Sequence, residues 1–236
     1  MASMHISFKS GKPGNAALHS QYIAREGAYR KGDRAKDLVA VGYGNLPPGI
    51  KDHQTMWKAA DEGERVNGAA YKEMVVALPR ELTLDQQRQL VEEFVDRLLP
   101  GKIYQFAIHC SAASMGEGDQ PHSHIMYSDR VPDGVHREPR AMFKRYNPKH
   151  PELGGFKKDS GGMSPVELRD QAKGRRAAWA AVQNEFLERY GHEARVDPRS
   201  YRDRGLLRQV EQHLGPAATR SMTPEQKTSF TSNRVK

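Results

Sequence analysis

From His5 to Lys9 apolar and polar residues alternate, with Ile6 and Phe8 on one side and His5, Ser7 and Lys9 on the other. A period of two predicts a short strand. After a Gly/Pro turn at 11–14, Asn15 reads as an N-cap. Leu18, Tyr22 and Arg25 then recur at helical spacing until Gly27 can end the helix. The stretch from Arg30 to Pro48 is basic and glycine-rich without a helical period and reads as a loop, with at most a brief strand near Leu38 to Val41. A helix over Gln54 to Val66 stops at Asn67-Gly68, and Tyr71 to Leu78 follows as a strand. Thr83 and Gln86 form a capping box for a helix whose apolar face is Gln87, Leu90, Val91, Phe94 and Leu98, ended by Pro100-Gly101. Two strand-like runs, Ile103 to Cys110 and His122 to Asp129, flank the connection SAASMGEGDQP, and Pro132-Asp133-Gly134 makes a tight turn. Ser164, Pro165 and Glu167 start a second long helix through Leu168, Trp179, Val182, Phe186 and Tyr190 to Gly191. Two adjacent strands joined by a loop favour an α+β fold with an antiparallel central sheet over a wound parallel one.

Composition narrows the class. The 236 residues are 37% hydrophobic and 28% charged. No apolar run approaches the ~20 residues a membrane helix needs, so no membrane insertion is expected. The N-terminus shows no apolar segment followed by a small-residue cleavage site, so a cytoplasmic location is expected. The single cysteine, Cys110, rules out an intramolecular disulfide and a cysteine-rich zinc site, leaving histidines and carboxylates for any metal. A net charge of +8 favours a polyanionic partner. Polar composition after Pro216 reads as a disordered tail, so 1–216 is the expected domain and 217–236 the tail.

His122 and His124 stand two apart on a strand, so both imidazoles leave the same face about 7 Å apart along the backbone. On the preceding run Gln105, Ala107 and His109 share one face, and Tyr104, Phe106, Ile108 and Cys110 the other. Antiparallel pairing lets His109 complete a three-imidazole cluster on the polar side of the sheet, while Phe106, Ile108, Ile125 and Tyr127 serve the core. Ser123 falls on that buried side and is no ligand. Three neutral imidazoles leave coordination positions open, as a metal acting on an oxyanion requires. Glu73 shares a face with Tyr71, Val75 and Ala77; it is either a ligand, a partner orienting a histidine, or an exposed carboxylate on an edge strand. A phenol becomes a useful nucleophile only beside a cation or base. Tyr22 and Tyr29 are the candidates, although Tyr22 can equally continue the apolar stripe begun by Leu18. Arg137, Arg140, Lys144, Arg145, Lys149, Lys157 and Lys158 are interleaved with Phe143, Tyr146 and Phe156, a pattern that suits phosphate tracking and base stacking on single strands. Arg175 and Arg176 either extend that patch or lie on the wet face of their helix.

Taken together, HSQYIAREGAY, YKEMVVALPRELTLDQQ, AIH, PHSHIMYSDR, FKRYNPKHPELGG, GHEARVDPRSY and HLGP, in this order, resemble the MobA/MobL plasmid mobilisation relaxases, within the wider HUH endonuclease group. The resemblance implies an antiparallel sheet carrying a metal site with helices packed on it. It implies Tyr22 as the nucleophile, with a role for Tyr29 left open, and His109, His122 and His124 as ligands of a divalent ion, Mn2+ or Mg2+. Glu73 takes the position of an acidic residue associated with that site. The implied substrate is single-stranded DNA at an origin of transfer, oriT, nicked through a reversible 5′-phosphotyrosyl intermediate with relaxosome accessory proteins as partners. One departure is the polar Ser123 between the two histidines, where the group has a hydrophobe. Two rivals remain: a rolling-circle initiator or HUH transposase, whose tyrosine lies downstream of the histidines, and a non-catalytic nucleic-acid-binding module with a structural metal.

Overall fold

The computed structural model describes residues 4–112, 118–207, 218–219 and 221–235. The HLGP motif and the middle of the connection between the two histidine strands lie outside them. Strands β1 (Ile6–Gly11), β2 (Leu38–Gly44), β3 (Tyr71–Ala77), β4 (Tyr104–Ala112) and β5 (Asp119–Tyr127) form one antiparallel sheet in the order β1-β3-β5-β4-β2. The expected α+β class is the observed one.

Alternation along the strands sorts side chains between two cores. Met74, Val76, Phe106, Ile108, Ile125 and Tyr127 face helices α3 (Leu84–Leu98) and α4 (Pro165–Arg189), where they meet Leu90, Phe94, Trp179 and Phe186. Both helices start with the capping boxes read from the sequence, Thr83 with Gln86 and Ser164 with Glu167. The opposite face carries Tyr71, Ala107 and Met126 against α1 (Ala16–Ala24) and α2 (His53–Gly63), which supply Ile23, Met56, Trp57 and Ala60. The side that bears the histidines is therefore covered by two helices instead of being an open polar face.

The structure departs from the sequence expectations at four places. The Arg30 to Pro48 loop contains two short 3-10 turns and β2, a full edge strand paired with β4. Its apolar alternation is interrupted at Gly42, which is needed there: a Cβ would come 2.4 Å from the Phe106 ring. Helix α1 buries Ala16, Ser20, Ile23 and Ala24, whereas Leu18 is 55% exposed, so Leu18 begins no core stripe; Tyr22 packs at the edge of the core and Arg25 is buried among polar partners. The residues just before the predicted turn at Pro132 pair with the end of the basic segment as a two-stranded ribbon, β6 (Arg130–Val131) with β7 (Lys157–Lys158). Within 217–236, expected as a disordered tail, Pro224–Val235 forms α5, and Thr223 and Gln226 exchange backbone-to-side-chain hydrogen bonds at its start.

Candidate metal and nucleophile site

Strands β4 and β5 pair with His109 directly opposite His122 and Ala107 opposite His124. That register gathers the three imidazoles, with ring centres 5.2–5.5 Å apart. Their candidate ligand atoms all lie within 4.8 Å of one another, a separation one ion can bridge. Each ring also sets one nitrogen against an oxygen acceptor. His109 Nε2 is 2.7 Å from the Ile23 carbonyl, His122 Nδ1 is 3.1 Å from the Gln120 carbonyl and His124 Nδ1 is 2.7 Å from Glu73 Oε1. Only an N–H suits those acceptors, so the second nitrogen of each ring keeps its lone pair, as a metal ligand must. The donor set fits a divalent cation. Burial holds His109 down to about 4, aided by the nearby charges of Arg25 and His124 and opposed by the Ile23 carbonyl. His122 is lowered as well, again chiefly by burial.

Glu73 is no edge-strand carboxylate. β3 is an interior strand, and Glu73 is 2% exposed. Its Oε1 accepts from His124 and, at 2.8 Å, from His19 Nε2. Burial alone would raise its pKa, but those two hydrogen bonds and the accompanying charge interactions bring it to about 2. It thus orients His124, and it forms with His19 and His124 a second close group of potential ligands. Sequence reading missed His19, although it stands three residues before Tyr22 and so on the same side of α1. The His19 ring stacks on Tyr71, centres 5.0 Å apart, which requires the Tyr71 ring to lie over Gly11; a Cβ there would sit 1.9 Å from the ring.

Tyr22 is half-buried on α1 beside this cluster. Its ring centre is 6.1 Å from that of His19 and 5.4 Å from that of Tyr29, and together with Lys12, Leu18 and Tyr71 these residues line an open groove. Arg25, also missed, links Tyr22 to the imidazoles. Its guanidinium lies 4.8 Å from the Tyr22 ring centre and 3.2 Å from His109 Nδ1, and makes a paired contact with Asp37. No periodicity in the sequence marks Asp37, which arrives from a 3-10 turn before β2.

A scan against protein-family models matches the MobA/MobL family over residues 12–223. The chain belongs to the MobA/MobL family. Within and around that family it is 43% identical over 211 residues to the 43 kDa relaxation protein of Salmonella typhimurium, covering 89% of this chain and 57% of the relative. It is 40% identical over 224 residues to Mobilization protein A of Escherichia coli, covering 92% of this chain and 30% of that one. The chain thus spans less than two thirds of either relative. A solved structure described as "Molecular Basis of Vancomycin Resistance Transfer in Staphylococcus aureus" shares the fold, with a TM-score of 0.59 at 21% identity over 84% of this chain and 98% of that one.

The basic segment of this MobA/MobL chain divides in two. Arg140, Lys144, Arg145, Lys149 and Lys157 are exposed and Tyr146 half-buried. Arg137 is buried, with its guanidinium engaged by Asp133 and by the carbonyls of Val135, Pro151 and Gly154. Lys158 pairs with buried Glu64 and the Ala69 carbonyl. Those two cations satisfy loop carbonyls and a buried carboxylate, which corrects their expected place on a phosphate-binding surface. Phe143 and Phe156 belong to the core under α2 and cannot stack bases. Arg175 is likewise internal, donating to the Tyr127 hydroxyl at 2.5 Å. No helix among the described residues is long and apolar enough to cross a membrane.

Proposed function

We propose that this protein nicks single-stranded DNA at a plasmid origin of transfer by transesterification onto Tyr22. The observation that carries the reading is the cluster of His109, His122 and His124, with ligand atoms within 4.8 Å, joined through Arg25 to a tyrosine on the neighbouring helix. Membership of a mobilisation family supports the same assignment. A divalent cation on these imidazoles would polarise the scissile phosphate and offset the charge of an in-line displacement. Tyr22 Oη attacks phosphorus, the bond from phosphorus to the 3′ oxygen breaks, and that oxygen takes up the proton the phenol gives away. One phosphodiester replaces another, so the 5′-phosphotyrosyl adduct retains what is needed for rejoining. Glu73 holds His124 in the ligating tautomer, and His19 shares that carboxylate.

Of the two ions the resemblance implies, Mn2+ accepts imidazole more readily than Mg2+, which prefers oxygen ligands, while the same donor set also suits zinc, copper, nickel and iron. The exposed cations Arg140, Lys144, Arg145, Lys149 and Lys157, with Tyr146, are assigned to the DNA. The unit responsible is residues 1–216, acting in the cytoplasm with relaxosome accessory proteins that expose the single strand. Tyr29 lines the same groove, its ring edge-on to that of Tyr22, as a candidate second tyrosine.

The test is a denaturing gel after incubation with a single-stranded origin oligonucleotide and Mn2+. Wild type is expected to give a covalent band, and Tyr22→Phe to abolish it while oligonucleotide binding persists. His122→Ala is expected to lose metal and cleavage together. A band retained by Tyr22→Phe moves the nucleophile elsewhere. Binding without any band in wild type supports a non-catalytic module instead.

A further inference from the structure

We propose that Arg25, tethered by Asp37, is a positioning residue that competes with the divalent cation for His109 while holding Tyr22 against the imidazoles; this rests on the metal site assigned above. Arg25 is the left-handed cap of α1, at φ 54°, and its backbone N–H donates to the carbonyls of Gln21 and Tyr22. A non-glycine residue is rarely held there unless its surroundings fix it. The side chain supplies that fixation. Nε and Nη2 donate to Asp37 Oδ1 and Oδ2 at 3.0 and 2.9 Å, Nη1 donates to the Tyr22 carbonyl at 2.6 Å, and the residue is 8% exposed.

A further contact is the informative one. Nη2 lies 3.2 Å from His109 Nδ1. His109 Nε2 faces the Ile23 carbonyl and so carries the ring proton, which leaves Nδ1 with a lone pair. A guanidinium only donates, so it takes the same lone pair a metal would need. It also sets a permanent positive charge beside a cation site, whereas Asp37 sets a negative one. The two residues therefore share a scaffold contact yet exert opposite electrostatic effects on a metal, which separates this idea from simple bracing.

The experiment is calorimetric titration of the full chain with Mn2+, alongside melting temperatures and the rate of adduct formation. Arg25→Gln is expected to bind Mn2+ about tenfold more tightly, because one like charge and one competitor are gone. The same variant should form adduct more slowly at unchanged oligonucleotide affinity, because Tyr22 loses its clamp. Asp37→Asn is expected to bind Mn2+ more weakly, and Arg25→Lys to stay near wild type in metal affinity. Arg25→Met, which keeps the packing on Tyr22 without charge, repeats the first expectation should the glutamine variant not fold. Equal weakening of Mn2+ binding by the Arg25 and Asp37 variants, or no gain in the neutral Arg25 variants, overturns the proposal. If wild type binds Mn2+ and forms adduct, such a result leaves the nicking assignment standing. Absence of Mn2+ binding by wild type overturns the metal site and this inference together.

Discussion

One carboxylate oxygen at the centre of the sheet organises much of the site. Glu73 Oε1 accepts from both His19 and His124, so its negative charge fixes the tautomer of a candidate ligand and the ring next to Tyr22. Glu73→Gln keeps the shape but loses the charge, and its amide can turn an N–H toward His124. Mn2+ affinity is expected to fall about 10–100-fold, measured by calorimetry, with the fold retained. The imidazole trio was legible because strand geometry alone puts His122 and His124 on one face and sets the parity of His109. The burial of Glu73 was not. It depends on β1 and β5 lying on either side of β3, and neither neighbour is adjacent to β3 in sequence. The same limit hid Arg25, whose meaning comes from Asp37 and His109, residues brought to it by β2 and β4.

At the scale of elements, the helix that carries Tyr22 is anchored from outside itself. Asn15 makes no side-chain cap; the Asp61 carboxylate of α2 accepts from Gly14, Ala16 and Ala17 backbone N–H groups at 2.7–2.9 Å. An aspartate at that end also answers the partial positive charge of the helix terminus. Asp61→Ala is expected to destabilise the protein by about 1–2 kcal/mol in denaturant unfolding, the range for a lost N-cap. Helix α3 and helix α4 were read correctly because their caps are local: a serine or threonine and a glutamate or glutamine three residues on. A cap supplied from another helix leaves no such signature. The apolar stripe of α1 misled for a related reason, since its buried face is Ala16, Ser20, Ile23 and Ala24, mostly small side chains that weigh little in a hydropathy pattern.

Across the whole molecule, helices cover both sheet faces and the segment from Arg130 to Lys158 packs against α2 through Met142, Phe143 and Phe156, locked by buried charge. Glu64 meets Arg130 at 2.8 Å and Lys158 at 2.9 Å, and Arg130 also donates to the carbonyls of Phe143 and Phe156. Burial acts to raise the Glu64 pKa, but the hydrogen bonds from Lys158 and Arg130 and their charges bring it below the ordinary carboxylate value. Its stabilising effect is therefore full above that ordinary value and fades as pH falls toward the lower folded-state one. Glu64→Gln is expected to lose about 3 kcal/mol or more at neutral pH, because Arg130 is left buried without its counter-charge. Melting curves from pH 7 to pH 3 should also fall less steeply for the variant than for wild type. The ladder joining β4 and β5 continues three residue pairs past His109 and His122, through Cys110 with Pro121 to Ala112 with Asp119. Slippage of one histidine strand along the other must therefore break three further rungs before the ligand trio comes apart, which makes the ladder a mechanical lock on the spacing of the site.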